Sequence, residues 1–366
     1  MIETQIRLAR PELGSEEEEA VLEVMRSGLL AQGEKVKAFE EAFAEATGAR
    51  YAIATSNGST ALQLALLAHG VESGDEVITS PLTFVASANA IVHAGAKAVF
   101  ADVDATLNLD PGAAEAAITE RTRAIMPVHL HGNPSDFWAF AEIADRHGLV
   151  VLQDACQAIG ATIDGRPLGA LGTAVYSLYA TKNITTGEGG MITTNDPAVA
   201  QACASLRNQA YSTTAAYEHE AIGYNYRMTE MQAAIGLCQL RKLARITERR
   251  RENAWYYDVA VDQGRFPRPS RLPGHAHVFH QYVIRLPESA GLSRSQVQAD
   301  LERNGIGSGV HYPIPVHLQP AYRGHSIHPC PEAERAAREI LSIPVHPGVE
   351  DPDRERVAAA LNGLGL

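Results

Sequence analysis

No stretch of this chain stays apolar for the roughly 18 residues that a membrane-spanning helix requires, so no membrane span is expected. The opening residues Met1-Ile2-Glu3-Thr4-Gln5-Ile6-Arg7 lack the basic-then-apolar order of a secretory signal, and a cytoplasmic protein is expected. Cysteine is scarce. Cys156, Cys203, Cys238 and Cys330 are scattered without metal or redox spacing, as reduced thiols in a cytosol would be. Positive charge is short too: a net charge of −12 works against nonspecific binding to nucleic acid, which needs clustered Lys and Arg. The run Arg249-Arg250-Arg251 falls in a helical pattern and reads as a solvated helix face. Internal repeats, low-complexity segments and long linkers are also missing.

What is present describes a sizeable globular protein. With 366 residues the chain is too long for one small core, and it suits one large domain and one small. The large domain is expected over 1–245, with an N-terminal arm over 1–14, and the small one over 246–366. Ser15 before Glu16-Glu17-Glu18-Glu19 reads as a capping box, with Ser15 at the N-cap, Glu18 at the third helical position and Gly28 ending the helix. A second helix over 34–46 places Val36, Phe39 and Phe43 on one face. Tyr51-Ala52-Ile53-Ala54-Thr55 is a strand, Ser56-Asn57-Gly58-Ser59 a polar turn, and a helix follows from Thr60.

Further apolar strands are predicted over 75–79, 98–103, 124–129, 149–154 and 174–180, with helices over 84–93 and 137–147 between them. That alternation predicts an α/β fold whose mostly parallel sheet is covered by helices on both faces. Ligands in such sheets bind at the carboxyl ends of the strands, where Ser59, His129, Asp154 and Lys182 all fall. A helix over 229–261, with Met231, Ile235 and Cys238 along one side, is long enough to bridge two domains. Beyond it, a strand over 281–286, a helix over 293–304, the Pro/His-rich segment 311–317 and a closing helix from 353 make a smaller α/β domain.

Lys182 follows the apolar strand directly, and a run rich in Thr and Gly, ending Gly187-Glu188-Gly189-Gly190, follows it. A lysine desolvated at a strand mouth has a lowered pKa and attacks carbonyls more readily. The glycines are expected to let backbone approach a ligand. An aldehyde-bearing pyridine cofactor needs such an amine, a carboxylate for its ring nitrogen and donors for its phosphate. Lys182 supplies the first and Asp154 the second. Ser177 and the Gly58-Ser59 turn, at a helix start with free N–H groups, supply the third. A charge pair at about 4 Å in an effective dielectric near 20 is worth roughly 4 kcal/mol, or about three pK units on the ring nitrogen. The segment His275-Ala276-His277-Val278-Phe279-His280 invites a metal reading, but no carboxylate or cysteine accompanies it, and no metal is expected.

Several segments together resemble the DegT/StrS family of sugar aminotransferases, pyridoxal-phosphate enzymes of the type I (aspartate aminotransferase) fold. They are Thr55-Ser56-Asn57-Gly58-Ser59-Thr60-Ala61-Leu62, Thr83-Phe84-Val85-Ala86, Pro127-Val128-His129-Leu130 and Asp154-Ala155-Cys156-Gln157, followed by Tyr179-Ala180-Thr181-Lys182-Asn183, Thr186-Gly187-Glu188-Gly189-Gly190, Gly223-Tyr224-Asn225-Tyr226-Arg227-Met228 and His311-Tyr312-Pro313. The resemblance implies that Lys182 bonds the cofactor aldehyde and later shuttles the proton. It implies that Asp154 pairs with the pyridine nitrogen, Gln157 bonds the phenolic oxygen, and Phe84 stacks on the ring. Gly58, Ser59 and Ser177 would hold the phosphate, joined by Asn225 from the other subunit of a homodimer with shared active sites. His311 and Tyr312 would lie near a sugar-nucleotide pocket. His129 reads either as a substrate contact or as a strand-end histidine satisfied by its neighbours. The sequence departs from the commonest family pattern at Gln153, Cys156, Leu178 and His131, usually Glu, Ala, Phe and Tyr; of these, His131 bears on substrate identity.

The expected function is transfer of an amino group from an amino acid, typically glutamate, to a nucleotide-linked ketosugar, with pyridoxamine phosphate carrying the amine between half-reactions. Such chemistry serves amino-sugar and polysaccharide biosynthesis. Two alternatives stand beside it: a related sugar dehydratase-type lyase, in which histidine replaces the lysine, and a non-catalytic regulatory member of the fold.

Overall fold

The structure, a computed structural model, describes residues 5–212, 217–325 and 328–364; residues 1–4 of the predicted arm lie outside them. Before the sheet come helices α1 (Ser15–Ser27) and α2 (Glu34–Thr47). The chain then alternates as predicted: β1 (Tyr51–Thr55), α3 (Gly58–Ala68), β2 (Glu76–Thr79), α4 (Ala86–His93), β3 (Lys97–Phe100), α5 (Pro111–Ala116), β4 (Thr122–Met126), α6 (Phe137–His147) and β5 (Val150–Asp154). Short strands β6 (Thr162–Ile163) and β7 (Arg166–Pro167) precede β8 (Thr173–Ser177), β9 (Gly190–Thr194) and α7 (Pro197–Arg207). The long helix α8 (Glu230–Ala260) leads to β10 (His275–Ala276), β11 (Tyr282–Arg285), α9 (Arg294–Arg303), α10 (Pro331–Glu339), β12 (Ile340–Ile343) and α11 (Asp351–Asn362). Among the described residues no helix is long and apolar enough to cross a membrane.

Seven strands form the main sheet in the order β1-β9-β8-β5-β4-β2-β3. The ladder from β8 to β3 is parallel, whereas β9 runs antiparallel to both neighbours. The glycine-rich run after Lys182 therefore ends in a strand that the sequence reading missed, its Gly190 start masking a Met-Ile-Thr-Thr pattern. Alternate residues serve opposite faces, as the pleat requires. Val77 and Val175 pack with Leu62, Leu66 and Ile91 on one side. Ile78 packs with Phe140, and Tyr176 with Phe39 and Phe43, on the other.

Helix α8 contributes Ala233, Leu243 and Ile246 to the core around Tyr176. It contributes Ala254, Tyr257 and Val261 to a separate C-terminal core with Ile284 and Leu341 from the β11–β12 pair. Ile6 joins that second core, so the arm reaches the C-terminal unit. Of the stripe predicted on α8, Cys238 is buried but Met231 and Ile235 are half-exposed; the buried face runs instead through Ala233, Ala234 and Gly236. Small residues are demanded there because a Cβ on Gly236 would stand 2.5 Å from the Phe39 ring. The arginine run is not a solvated face either. Arg250 is buried and donates to the Phe279 carbonyl at 2.9 Å, while Arg249 and Arg251 donate to the Val349 and His277 carbonyls. These bonds tie α8 to the segments that close the C-terminal unit.

Helix starts are satisfied by long-range contacts. Gly14, not Ser15, caps α1: Ser15 is already helical, and Glu17 accepts from the Gly14 N–H at 2.8 Å. Glu17 also accepts from Lys242 Nζ at 2.7 Å, so one member of the acidic run anchors α8. The buried Glu230 carboxylate accepts from the N–H groups of Gly33, Lys35 and Val36, each at 2.9 Å, and thereby caps α2 from α8. A carboxylate in that position also suits the positive end of the helix dipole. Glu230→Ala would strand three donors and is expected to cost about 2–4 kcal/mol, read as a lowered urea midpoint with unchanged slope; an unchanged midpoint would refute the capping role.

Candidate active site

Because β1, β5 and β8 point the same way, their carboxyl ends share one edge of the sheet. Asp154 ends β5, Ser177 ends β8, and the turn after β1 leads into α3. Asn57 caps α3, its Oδ1 accepting from Thr60 N–H at 3.0 Å. The Gly58 and Ser59 N–H groups in the first turn have no backbone acceptor among the described residues. Ser59 is exposed. A Cβ on Gly58 would lie 2.9 Å from Ser177 Cβ and 3.1 Å from Cys156 Sγ, so only glycine lets the helix start close on these neighbours. Free amide donors, a positive helix end and two serines form an anion cradle.

Asp154 is buried, 3% exposed, and is locked by its backbone: its N–H donates to the Pro127 carbonyl and its carbonyl accepts from His129 N–H. Its carboxylate receives only neutral donors, Ser87 Oγ at 2.7 Å and Cys156 N–H at 3.1 Å, and has no ion pair among the described residues. Ser87 is in turn 2.8 Å from Thr83 Oγ1. A buried carboxylate without a cation is costly. A protonated ring nitrogen would fill that need.

Lys182 is half-buried, with its N–H donating to the Tyr179 carbonyl in a turn just past β8. Its Nζ makes no hydrogen bond or ion pair among the described residues. Burial pulls its pKa below the usual lysine range, against the opposing pull of Cys156 and Asp154 close by. The following loop closes on itself: Thr186 N–H donates to the Leu178 carbonyl, and Leu178 N–H to the Gly189 carbonyl. Gly189 and Gly190 are packed against protein, a Cβ there meeting Thr186 Oγ1 at 2.2 Å and the Asn57 carbonyl at 2.3 Å. These two glycines shape the loop, contrary to the expectation that they admit a ligand.

The remaining predicted residues divide. Phe84 is 54% exposed and faces the Tyr312 ring at 5.8 Å, so it is not a core residue. Gln157 donates through Nε2 to Tyr312 Oη at 3.3 Å. Tyr312 feels Asp154 and Cys156, and burial raises its pKa. Burial and Lys182 lower the pKa of His311. Asn225 is exposed at a bridge with Asn208. His129 is not offered to a ligand. It is fully buried, Nδ1 accepts from Ser135 N–H at 2.9 Å, and Nε2 is 3.2 Å from Gln153 Oε1. Burial holds its pKa at about 4, so it is a neutral structural histidine. Among the described residues no group of three or more His, Cys, Asp or Glu is gathered to hold a metal.

Sequence reasoning missed Ser87 and His280. Ser87 lies one helical step beyond Phe84 (i, i+3), a spacing that would have placed both on one face. His280, considered only as a metal ligand, is buried beside Lys182.

A lysine amine, a buried carboxylate without an ion pair and free helix-start amides lie along one edge of the mostly parallel sheet, an arrangement whose chemistry fits pyridoxal phosphate. The chain belongs to the DegT/DnrJ/EryC1/StrS aminotransferase family, whose profile matches residues 11–362. It is 45% identical over 343 residues to the pleiotropic regulatory protein of Geobacillus stearothermophilus, covering 92% of this chain and 90% of that one. It is 42% identical over 363 residues to GDP-perosamine synthase of Caulobacter vibrioides, covering 98% of each. Among solved structures, S. venezuelae DesV in complex with a ketimine intermediate superposes with a TM-score of 0.90 at 38% identity, covering 95% of this chain and 93% of DesV.

Since the free amine is the nucleophile, uptake of pyridoxal phosphate by the apoprotein is expected to rise with pH, with its midpoint below about pH 10.4, the ordinary lysine value. A stopped-flow midpoint at or above that value would contradict the lowered pKa. Gly58→Ala is expected to weaken cofactor binding at least tenfold by equilibrium dialysis, and unchanged affinity would remove Gly58 from the cradle.

Proposed function

We propose that this protein is a pyridoxal-phosphate-dependent aminotransferase that moves an amino group from an amino acid, glutamate, to a ketosugar carried on a nucleoside diphosphate. The observation that carries the reading is the unpartnered Lys182 amine beside the buried Asp154 carboxylate, which has no cation of its own. The 42% identity to a GDP-perosamine synthase supports the sugar-nucleotide class. Pyridoxal phosphate, when bound, supplies the aldehyde that exchanges amines and an electron sink for the bond-breaking steps.

The chain's own residues do the rest. Asp154 keeps a positive charge favourable at the ring nitrogen. Gly58, Ser59 and Ser177 bind the phosphate. Phe84 covers the ring and Gln157 donates to its phenolic oxygen. Lys182 Nζ would hold the cofactor at rest and, once free, would take the proton from the donor's α-carbon and carry it. His311 and Tyr312 border the acceptor's place.

The proposed protein is a cytoplasmic homodimer in which the partner subunit's Asn225 completes the phosphate site. Met25 (58% exposed), Leu29 (73%) and Ile222 (92%) support that assembly as apolar surface left open in one chain. The proposed division into a large and a small domain near residue 245 falls within α8, one residue before Ile246, which still serves the first core, and ahead of Ala254 of the other.

The name of the Geobacillus relative favours one second reading, a regulatory protein without turnover. Purified protein in the pyridoxamine form, mixed with a panel of ketosugar nucleotides, separates the two. Amination of at least one sugar, abolished in Lys182→Ala together with the visible absorbance of the loaded protein, is the expected result. An intact visible band with no amination would favour the regulatory reading, and dehydration of the sugar would favour a lyase.

A further inference from the structure

His131 is the one departure from the family pattern that touches both halves of the site. It lies in the short turn after His129, buried at 3% exposure, with φ of 60°. That left-handed conformation is uncommon for a residue other than glycine and persists only where its surroundings enforce it. Here three bonds enforce it. The His131 N–H donates to Gln157 Oε1 at 2.7 Å, and its carbonyl accepts from Gln281 N–H at 3.2 Å. Its ring Nε2 is 2.9 Å from the His311 carbonyl. A carbonyl only accepts, so Nε2 carries the proton. Burial lowers the ring pKa to about 3, and the ring stays neutral across the working range.

These bonds close a circuit. A backbone N–H can only donate, so it fixes the Gln157 amide with oxygen toward His131 and nitrogen toward the cleft. That nitrogen donates to Tyr312 Oη, Tyr312 follows His311, and the His311 carbonyl returns to the His131 ring. Glycine at 132 keeps the turn tight: a Cβ there would lie 2.9 Å from the Gln157 carbonyl and 2.8 Å from Val278 Cγ2.

We infer that His131 is a positioning residue: its ring latches the 311–312 segment of the C-terminal unit over the site, and its N–H presents the Gln157 amide nitrogen to the cofactor. The inference rests on the proposed role of Gln157 toward the cofactor's phenolic oxygen. Without the ring donor, the 311–312 segment loses the bond to its His311 carbonyl and is held to the large sheet only through the Tyr312 side chain and the chain beyond it. Tyr312 then holds the amide nitrogen less firmly, although the His131 N–H is still present.

The test uses the holoenzyme and apoprotein of His131→Phe, which keeps a ring and removes its donor, beside His131→Asn, which keeps a donor and tolerates the left-handed backbone. Two readouts are taken: the dissociation constant of pyridoxal phosphate by fluorescence titration, and the pH midpoint of the visible band of the loaded protein. Expected for His131→Phe are a fivefold or greater rise in the constant and a midpoint shifted by half a pH unit or more, with His131→Asn recovering part of both. Tyr312→Phe breaks the same circuit elsewhere, so it is expected to shift the midpoint in the same direction, and the double variant with His131→Phe to shift it by less than the sum. If His131→Phe does not fold, the Tyr312→Phe and His131→Asn measurements decide. Variants that lose thermal stability but keep the wild-type constant and midpoint would overturn the inference. Wild-type protein that never develops the band would instead overturn the cofactor reading beneath it.

Discussion

The site depends on a carboxylate that is buried with no ion pair among the described residues. Asp154 sits at the end of a central parallel strand, fixed by backbone bonds to the neighbouring Pro127 and His129 and supplied only with the neutral donors of Ser87 and Cys156. Leaving a carboxylate in that condition costs free energy unless a cation arrives. A pyridinium nitrogen answers that need. In the proposed reading, the free amides at Gly58 and Ser59 would hold the phosphate and Lys182 the aldehyde.

The same low-dielectric setting accounts for the lysine and the histidines. Burial that makes the Asp154 charge expensive also makes a protonated amine expensive, so Lys182 is biased toward its nucleophilic form. His280 and His311, close to that amine, are pushed toward neutrality by burial and by its charge. Two neutral imidazoles and the Asp154 carboxylate thus surround the amine that the proposed mechanism uses to carry a proton. The C-terminal unit contributes through the 311–312 segment, which meets Phe84 and Gln157 of the large sheet.

Much of this was legible in the sequence because the groups sit at places dictated by local rules. Apolar runs of strand length separated by helices of about 10–15 residues predict a parallel sheet, and strand ends predict the ligand edge. Asp154 and Lys182 are placed that way, whereas Ser177, which ends β8, falls inside a strand predicted to run on to 180, and Phe137–His147 is read to its bounds. What was hidden depended on long-range partners. Nothing near Glu230 in sequence shows that it caps a helix starting at Glu34. Nothing near Arg250 shows that its guanidinium is buried against the Phe279 carbonyl. The glycines at 189 and 190 signal only a close approach, and the sequence does not say whether to a ligand or, as here, to neighbouring protein. For His129, whose neighbours in sequence left both readings open, Ser135 and Gln153 occupy both ring nitrogens.

The central claim is that the amine at position 182 carries the cofactor. Borohydride reduction of the protein loaded with pyridoxal phosphate, followed by peptide mass mapping, tests it most directly. The account predicts one reduced pyridoxyl adduct on the peptide containing Lys182, at close to one per chain. An adduct on another lysine, or none on protein that has taken up the vitamin, would contradict it.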